Sequence, residues 1–102
     1  MTKIAIAGVA GRMGRTLVDA VLQHNKPLKI TVATVLIDDP ALGTDIGTLA
    51  GLEPLGVKAC ASLGSAAAQF DVLIDFTAPA ATMDNLRYCQ EKGAAIVIGT
   101  TG

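Results

Sequence analysis

Apolar positions along the chain fall into short strand-like runs joined by helical repeats and glycine-rich stretches. Ile4-Ala5-Ile6-Ala7 is apolar without alternation, the pattern of a strand buried on both faces. From Arg12 to about His24, Leu17, Val18, Val21 and Leu22 recur at near-helical spacing, and Asn25 and Pro27 end the run. Leu28 to Ile37 is rich in β-branched residues and stops at Asp38-Asp39-Pro40, predicting a second buried strand. Residues 41–56 carry four glycines and little periodicity beyond a helical turn at Thr44 to Ala50, so they read as an irregular surface excursion. Val57 to Ala61 is a short strand candidate, and Ser62 is placed to cap a brief helix over Gly64 to Gln69. Phe70 to Phe76 predicts a parallel strand. Pro79 then suits the first turn of a helix running through Leu86, Tyr88 and Cys89 to a stop at Gly93, and Ala94 to Ile98 supplies a fifth strand.

Successive right-handed β-α-β units of this length build an α/β fold, a Rossmann-like doubly wound parallel sheet, most simply in the order 3-2-1-4-5. Ligands of such sheets bind outside the carboxyl ends of the strands. Three small-residue loops meet that edge: Gly8 to Gly14 after the first strand, Thr77-Ala78-Pro79 after the fourth, and Gly99-Thr100-Thr101-Gly102 after the fifth. No repeat or linker divides the chain, so residues 1–102 are expected to form one dinucleotide-binding domain.

The first loop, Gly8-Val9-Ala10-Gly11-Arg12-Met13-Gly14, has the chemistry of a phosphate cradle. Gly8 permits the sharp turn out of the strand, Gly11 permits close approach of backbone to a pyrophosphate, and Gly14 permits tight packing of helix on sheet. The helix that follows aims its unpaired N–H groups at the anion. Three glycines also suit a tight turn with no ligand, but the strand before and helix after favour the dinucleotide. Arg12 is placed either to pair with phosphate or to lie in solvent. The acidic residue that holds the adenine ribose is expected about 20 residues beyond the last glycine, and the count lands on Val35. Asp38 and Asp39 are the nearest carboxylates, and opening the turn before Pro40 is an equally good role for them. Asp71 and Asp75 lie about 13 Å apart at strand rise, too far to share a proton, and Asp75 is placed to order the loop after it. His24, the single histidine, lies at the far end of the first helix. No catalytic residue is assigned within the chain.

Composition narrows the partners. Hydrophobic residues make up 51% and charged residues 17%, suiting a layered fold, and a formal charge of −1 without a basic block argues against nucleic acid. Cys60 and Cys89 are 29 residues apart with no C-x-x-C spacing, so no metal site is expected. No stretch has the length of a membrane span or the pattern of a signal peptide, and a reducing cytoplasm is expected. The chain stops on Gly102 directly after a strand, which reads as the end of a fragment.

The glycine loop, Leu42-Gly43-Thr44-Asp45-Ile46-Gly47, Asp71-Val72-Leu73-Ile74-Asp75-Phe76-Thr77-Ala78-Pro79 and Ile98-Gly99-Thr100-Thr101-Gly102 together resemble, in order, the N-terminal domain of the dihydrodipicolinate reductase family. The resemblance implies a cytoplasmic enzyme of lysine and diaminopimelate synthesis, a homotetramer, that reduces the cyclic dicarboxylate 4-hydroxy-tetrahydrodipicolinate to tetrahydrodipicolinate with NADH or NADPH. It also implies that Gly8 to Met13 hold the pyrophosphate, that Phe76 and Thr77 lie beside the cofactor, and that Gly99, Thr100 and Thr101 contact its nicotinamide end. The family pattern of an acidic residue followed by arginine meets Val35-Leu36 here, and some members carry arginine at the position of Ala78, so the choice between the two cofactors stays open. The dicarboxylate site and the proton donors of the family belong to a second domain absent from this chain, which alone is expected to be inactive. Two other functions use the same fold: a non-enzymatic module that senses NAD, and the cofactor domain of another small-molecule dehydrogenase.

Overall fold

In a computed structural model of the chain, the described residues are 2–9, 12–23, 28–65 and 69–99. The elements are β1 (Thr2–Ala7), α1 (Arg12–Leu22), β2 (Leu28–Thr34), a four-residue helix α2 (Ile46–Leu49), a 3-10 turn (Leu63–Ser65), β3 (Val72–Asp75), α3 (Pro79–Lys92) and β4 (Ala95–Ile98). The strands form one sheet in the order β2-β1-β3-β4, all pairs parallel. The helix that ends at Gly93 was legible in detail: Pro79 occupies its first turn, and Gly93, at φ 72°, closes it with its N–H on the Cys89 carbonyl.

β1 is central, and its alternation sorts the core into two layers. Ile4 and Ile6 join Val9, Val18, Val21 and Ile30 on one face, while Ala5 and Ala7 join Leu73, Leu63 and Cys89 on the other. The small alanines let the α3 side lie close to the sheet. Between Ile4 and Ala5 the register with β2 slips, leaving Thr31 without a partner in β1, and its hydroxyl donates to the Gln69 carbonyl instead. This bulge flips the phase of β2, so that Ile30 packs on the first face and Val32 on the second.

The expected third strand is reduced to a bridge, which corrects the order 3-2-1-4-5 to four strands. Cys60 pairs in parallel with Thr34, beside β2 as anticipated, with Cys60 N–H on the Ala33 carbonyl and Val35 N–H on the Cys60 carbonyl, each 2.9 Å. Its neighbours turn the other way. Ala59 exchanges hydrogen bonds with Gly43 and Thr44, Ile46 donates to Val57, and Lys58 bridges Asp45 antiparallel, so the glycine-rich excursion takes the bonds a longer strand needs. β2 is also shorter than Leu28 to Ile37. It ends at Thr34, and Leu36 to Asp39 turn back with Asp39 N–H on the Leu36 carbonyl. The helix expected over Gly64 to Gln69 is observed as the short 3-10 turn, with residues 66–68 outside those described.

The excursion itself is organised by one carboxylate. Asp45 caps α2 by accepting the N–H groups of Gly47 (2.8 Å) and Thr48 (3.4 Å), and it also accepts those of Leu55 (2.9 Å) and Gly56 (2.7 Å). These donors, the Leu55 N–H foremost, favour the charged form and hold the Asp45 carboxyl below its ordinary value against a partial desolvation. A lowered value means that the clamp stabilises the fold above the ordinary aspartate range and is lost as pH falls toward the lower folded value. In an NMR pH titration, the Leu55 and Gly56 amide shifts are expected to move together with a midpoint below the ordinary aspartate value. A midpoint at or above it contradicts this role.

Candidate functional site

The carboxyl ends of β1, β2 and β3 open onto a groove of ~520 Å³, lined by Gly8, by Thr34 at the end of β2 and Val35, Leu36, Ile37 and Asp39 after it, by Ala61 and Ser62, by Phe76, Thr77 and Ala78 after β3, and by Ala81, Asp84 and Asn85 of α3. It is built from the strand ends upward. Gly8 turns out of β1 with φ +86°, a region costly for any side chain, and a Cβ there would sit 3.4 Å from the backbone of Phe76. The N–H groups of Gly8 and Val9 both donate to the Thr34 carbonyl at 3.0 Å. Gly8 therefore shapes the groove and, with Val9, ties it to β2, while α1 begins at Arg12 with first-turn N–H groups that have no intrahelical partner. Gly14 sets how close α1 comes: a Cβ on it would lie 2.6 Å from the Gly8 carbonyl oxygen and from Val9 Cα.

The loop after β3 is fixed from below. Asp75 shares the face of Leu73, toward α3, and is fully buried. Its Oδ1 accepts the Thr77 N–H (2.7 Å) and hydroxyl (2.6 Å), and its Oδ2 accepts the Asn85 side-chain amide (3.1 Å). Thr77 Oγ1 is also 3.3 Å from Thr82 Oγ1. Asp75 thus orders the following loop, as its position at the strand end led us to expect. Burial, with the Asp75 charge adding to it, pushes the nearby Cys89 thiol up and keeps it protonated. The third loop joins the second through Phe76, whose ring covers Gly99: a Cβ on Gly99 would fall 2.6 Å from Phe76 Cδ1. Gly99 N–H donates to the Asp75 carbonyl at 2.7 Å.

Of the residues singled out in the sequence, Gly8, Phe76 and Thr77 line the groove, Val9 and Gly14 pack beneath it, and Gly99 abuts Phe76. Arg12 and Met13 begin α1. Ala10, Gly11, Thr100 and Thr101 lie outside the described residues. After β2, Asp39 lines the groove, whereas Asp38 is exposed in the turn and is not among the lining residues. Sequence reasoning passed over Thr34, Leu36, Ile37 and the α3 positions Ala81, Asp84 and Asn85. The last three recur at i, i+3 and i+4 from the helix start, so a face count on α3 would have found them. Among the described residues no group of acidic, cysteine or histidine side chains forms a metal site, and no helix is long and apolar enough to cross a membrane.

Residues 2–102 match the family described as "Dihydrodipicolinate reductase, N-terminus". The chain belongs to this family. Two of its relatives, each named 4-hydroxy-tetrahydrodipicolinate reductase, are from Chromohalobacter salexigens, 54% identical, and Pseudomonas fluorescens, 47% identical, over 102 residues. All of this chain is covered in both, but only 38% of either relative, so the chain spans well under half their length. Among solved structures, a dipicolinate-bound dihydrodipicolinate reductase from a Paenisporosarcina species superposes over 100% of this chain and 38% of its own, with TM-score 0.70 and 26% identity. Aspartate semialdehyde dehydrogenase with NADP from Candida albicans superposes over 99% of this chain and 30% of its own, with TM-score 0.74. At 14% identity that second likeness shows the shared fold alone. Within the dihydrodipicolinate reductase family, the N-terminal portion is a nucleotide-binding domain, and the parallel sheet with its ligand-edge groove is that architecture.

Proposed function

We propose that the chain is the nicotinamide-dinucleotide-binding half of a reductase that converts 4-hydroxy-tetrahydrodipicolinate to tetrahydrodipicolinate, in lysine and diaminopimelate synthesis, with NADH or NADPH. The observation that carries this reading is the groove at the carboxyl edge of the parallel sheet, where Gly8 after β1, the turn after β2 and Phe76 to Ala78 after β3 come together, in a chain of this family. The residues fit the group: the floor at Gly8 has no side chain, and α1 is seated by Gly14 with its N-terminus at the loop. The start of α1, with Gly11 to Met13, would hold the pyrophosphate, the turn after β2 the adenosine, and Phe76, Thr77 and Gly99 to Thr101 the nicotinamide end. When bound, the nicotinamide supplies the hydride. This chain's part is to bind and orient: the Asp75 network fixes Thr77, and the Phe76 ring packs against Gly99.

Residues 1–102 then constitute the cofactor domain, while the dicarboxylate site, the proton donor and the homotetrameric assembly belong to the rest of the protein. A cytoplasmic setting accords with Cys60 and Cys89 as free thiols. Calorimetric titration of the chain with NADH and NADPH is expected to give saturable heats, and Gly11→Val, at the residue expected to approach the pyrophosphate, is expected to weaken them at least about tenfold, with circular dichroism checking that the variant is folded. Absence of heat with both nucleotides contradicts the reading.

A further inference from the structure

The turn after β2 carries more information than the presence of a cofactor groove. In a doubly wound sheet the adenine ribose lies at the end of the second strand, and here that end, from Thr34 to Asp39, forms one wall of the groove. Three features of the wall bear on what the ribose can carry. Asp39 lines it, half-buried, with Oδ1 held by the Ala41 N–H at 2.7 Å. Leu36 and Ile37 stand beside it, 70% and 77% exposed. Asp84 of α3 also lines the groove.

We propose that Asp39, flanked by Leu36 and Ile37, makes this groove select the dinucleotide without a 2′-phosphate, NADH over NADPH. The inference rests on the cofactor reading above and sharpens it. A carboxylate is an acceptor that suits the paired hydroxyls of an unmodified ribose, and it repels a phosphate monoester carrying close to two negative charges. Leu36 and Ile37 offer no donor to replace the water such a phosphate would shed. Asp84 adds a second charge of the same sign to the groove lining. Asp38, exposed and outside the lining, does not take part.

Calorimetry of the chain with each reduced nucleotide separates the outcomes. NADH is expected to bind at least about tenfold more tightly than NADPH. Asp39→Asn keeps an oxygen for the Ala41 N–H while removing the charge, so it is expected to narrow that ratio with the fold intact. Leu36→Arg, at an exposed position, is expected to shift it toward NADPH. Equal affinities, or tighter NADPH, overturn the inference and leave the cofactor reading standing. A ratio unchanged by both variants overturns the assignment to this turn. If neither nucleotide binds, the cofactor reading falls and the inference with it.

Discussion

Gly14→Val is expected to lower the melting temperature by roughly 10 °C or more, followed by circular dichroism on heating. A Cβ at this position would meet the Gly8 carbonyl oxygen and Val9 Cα at 2.6 Å and the Val9 carbonyl carbon at 2.8 Å. All three are backbone atoms, so no rotamer change relieves the clash and the whole of α1 must back away from the sheet. Overpacking of this kind costs about 1–3 kcal/mol. Valine is a better helix former than glycine by less than about 1 kcal/mol, so the gain in propensity offsets only part of the loss. Backing α1 away also moves its N-terminus, and nucleotide binding is expected to weaken in parallel. A variant with the parent melting temperature would show that α1 does not sit where Gly14 permits.

Asp75→Ala is expected to cost about 3 kcal/mol in urea unfolding, seen as a lower midpoint at unchanged slope. The carboxylate is fully buried and serves three donors, the N–H and hydroxyl of Thr77 and the amide of Asn85. Alanine leaves a space in the α3 layer and strips those donors of their acceptor. Asp75→Asn preserves one oxygen for Thr77, and Asn85 can turn its amide to present an oxygen to the new NH2, so its expected cost is nearer 1 kcal/mol. Equal stability of parent and alanine variant would remove Asp75 from the account of the second loop.

How much of this could be read in advance follows the range of the interactions. β1, β3, α3 and β4 come from local signals: an unbroken apolar run, a Pro79 start and a Gly93 stop. The third strand was legible as a segment but not as a bridge, because the competition of Gly43, Thr44 and Ile46 for the backbone of Val57 to Ala59 is a contact across the excursion that periodicity does not encode. The overlong β2 has the same origin. Val35, Leu36 and Ile37 have strand propensity, yet the turn closed by Asp39 on Leu36 decides their geometry. At the site, counting from the last glycine leads to the turn after β2 but could not choose between Asp38 and Asp39, since one residue of turn geometry separates a carboxylate that lines the groove from one in solvent. Contact of Phe76 with Gly99, two strand ends meeting in space, has no counterpart in local sequence.

The paired hydrogen bonds from Gly8 and Val9 to the Thr34 carbonyl have a thermodynamic consequence. A dinucleotide is a long, jointed ligand, and a protein whose subsites wander relative to one another must spend ordering entropy to bring them into step as it binds. One carbonyl clasps the turn after β1 directly to the end of β2; in the cofactor reading proposed above, the distance between the phosphate and ribose subsites would therefore be set during folding, and the entropy of fixing it spent before the ligand arrives.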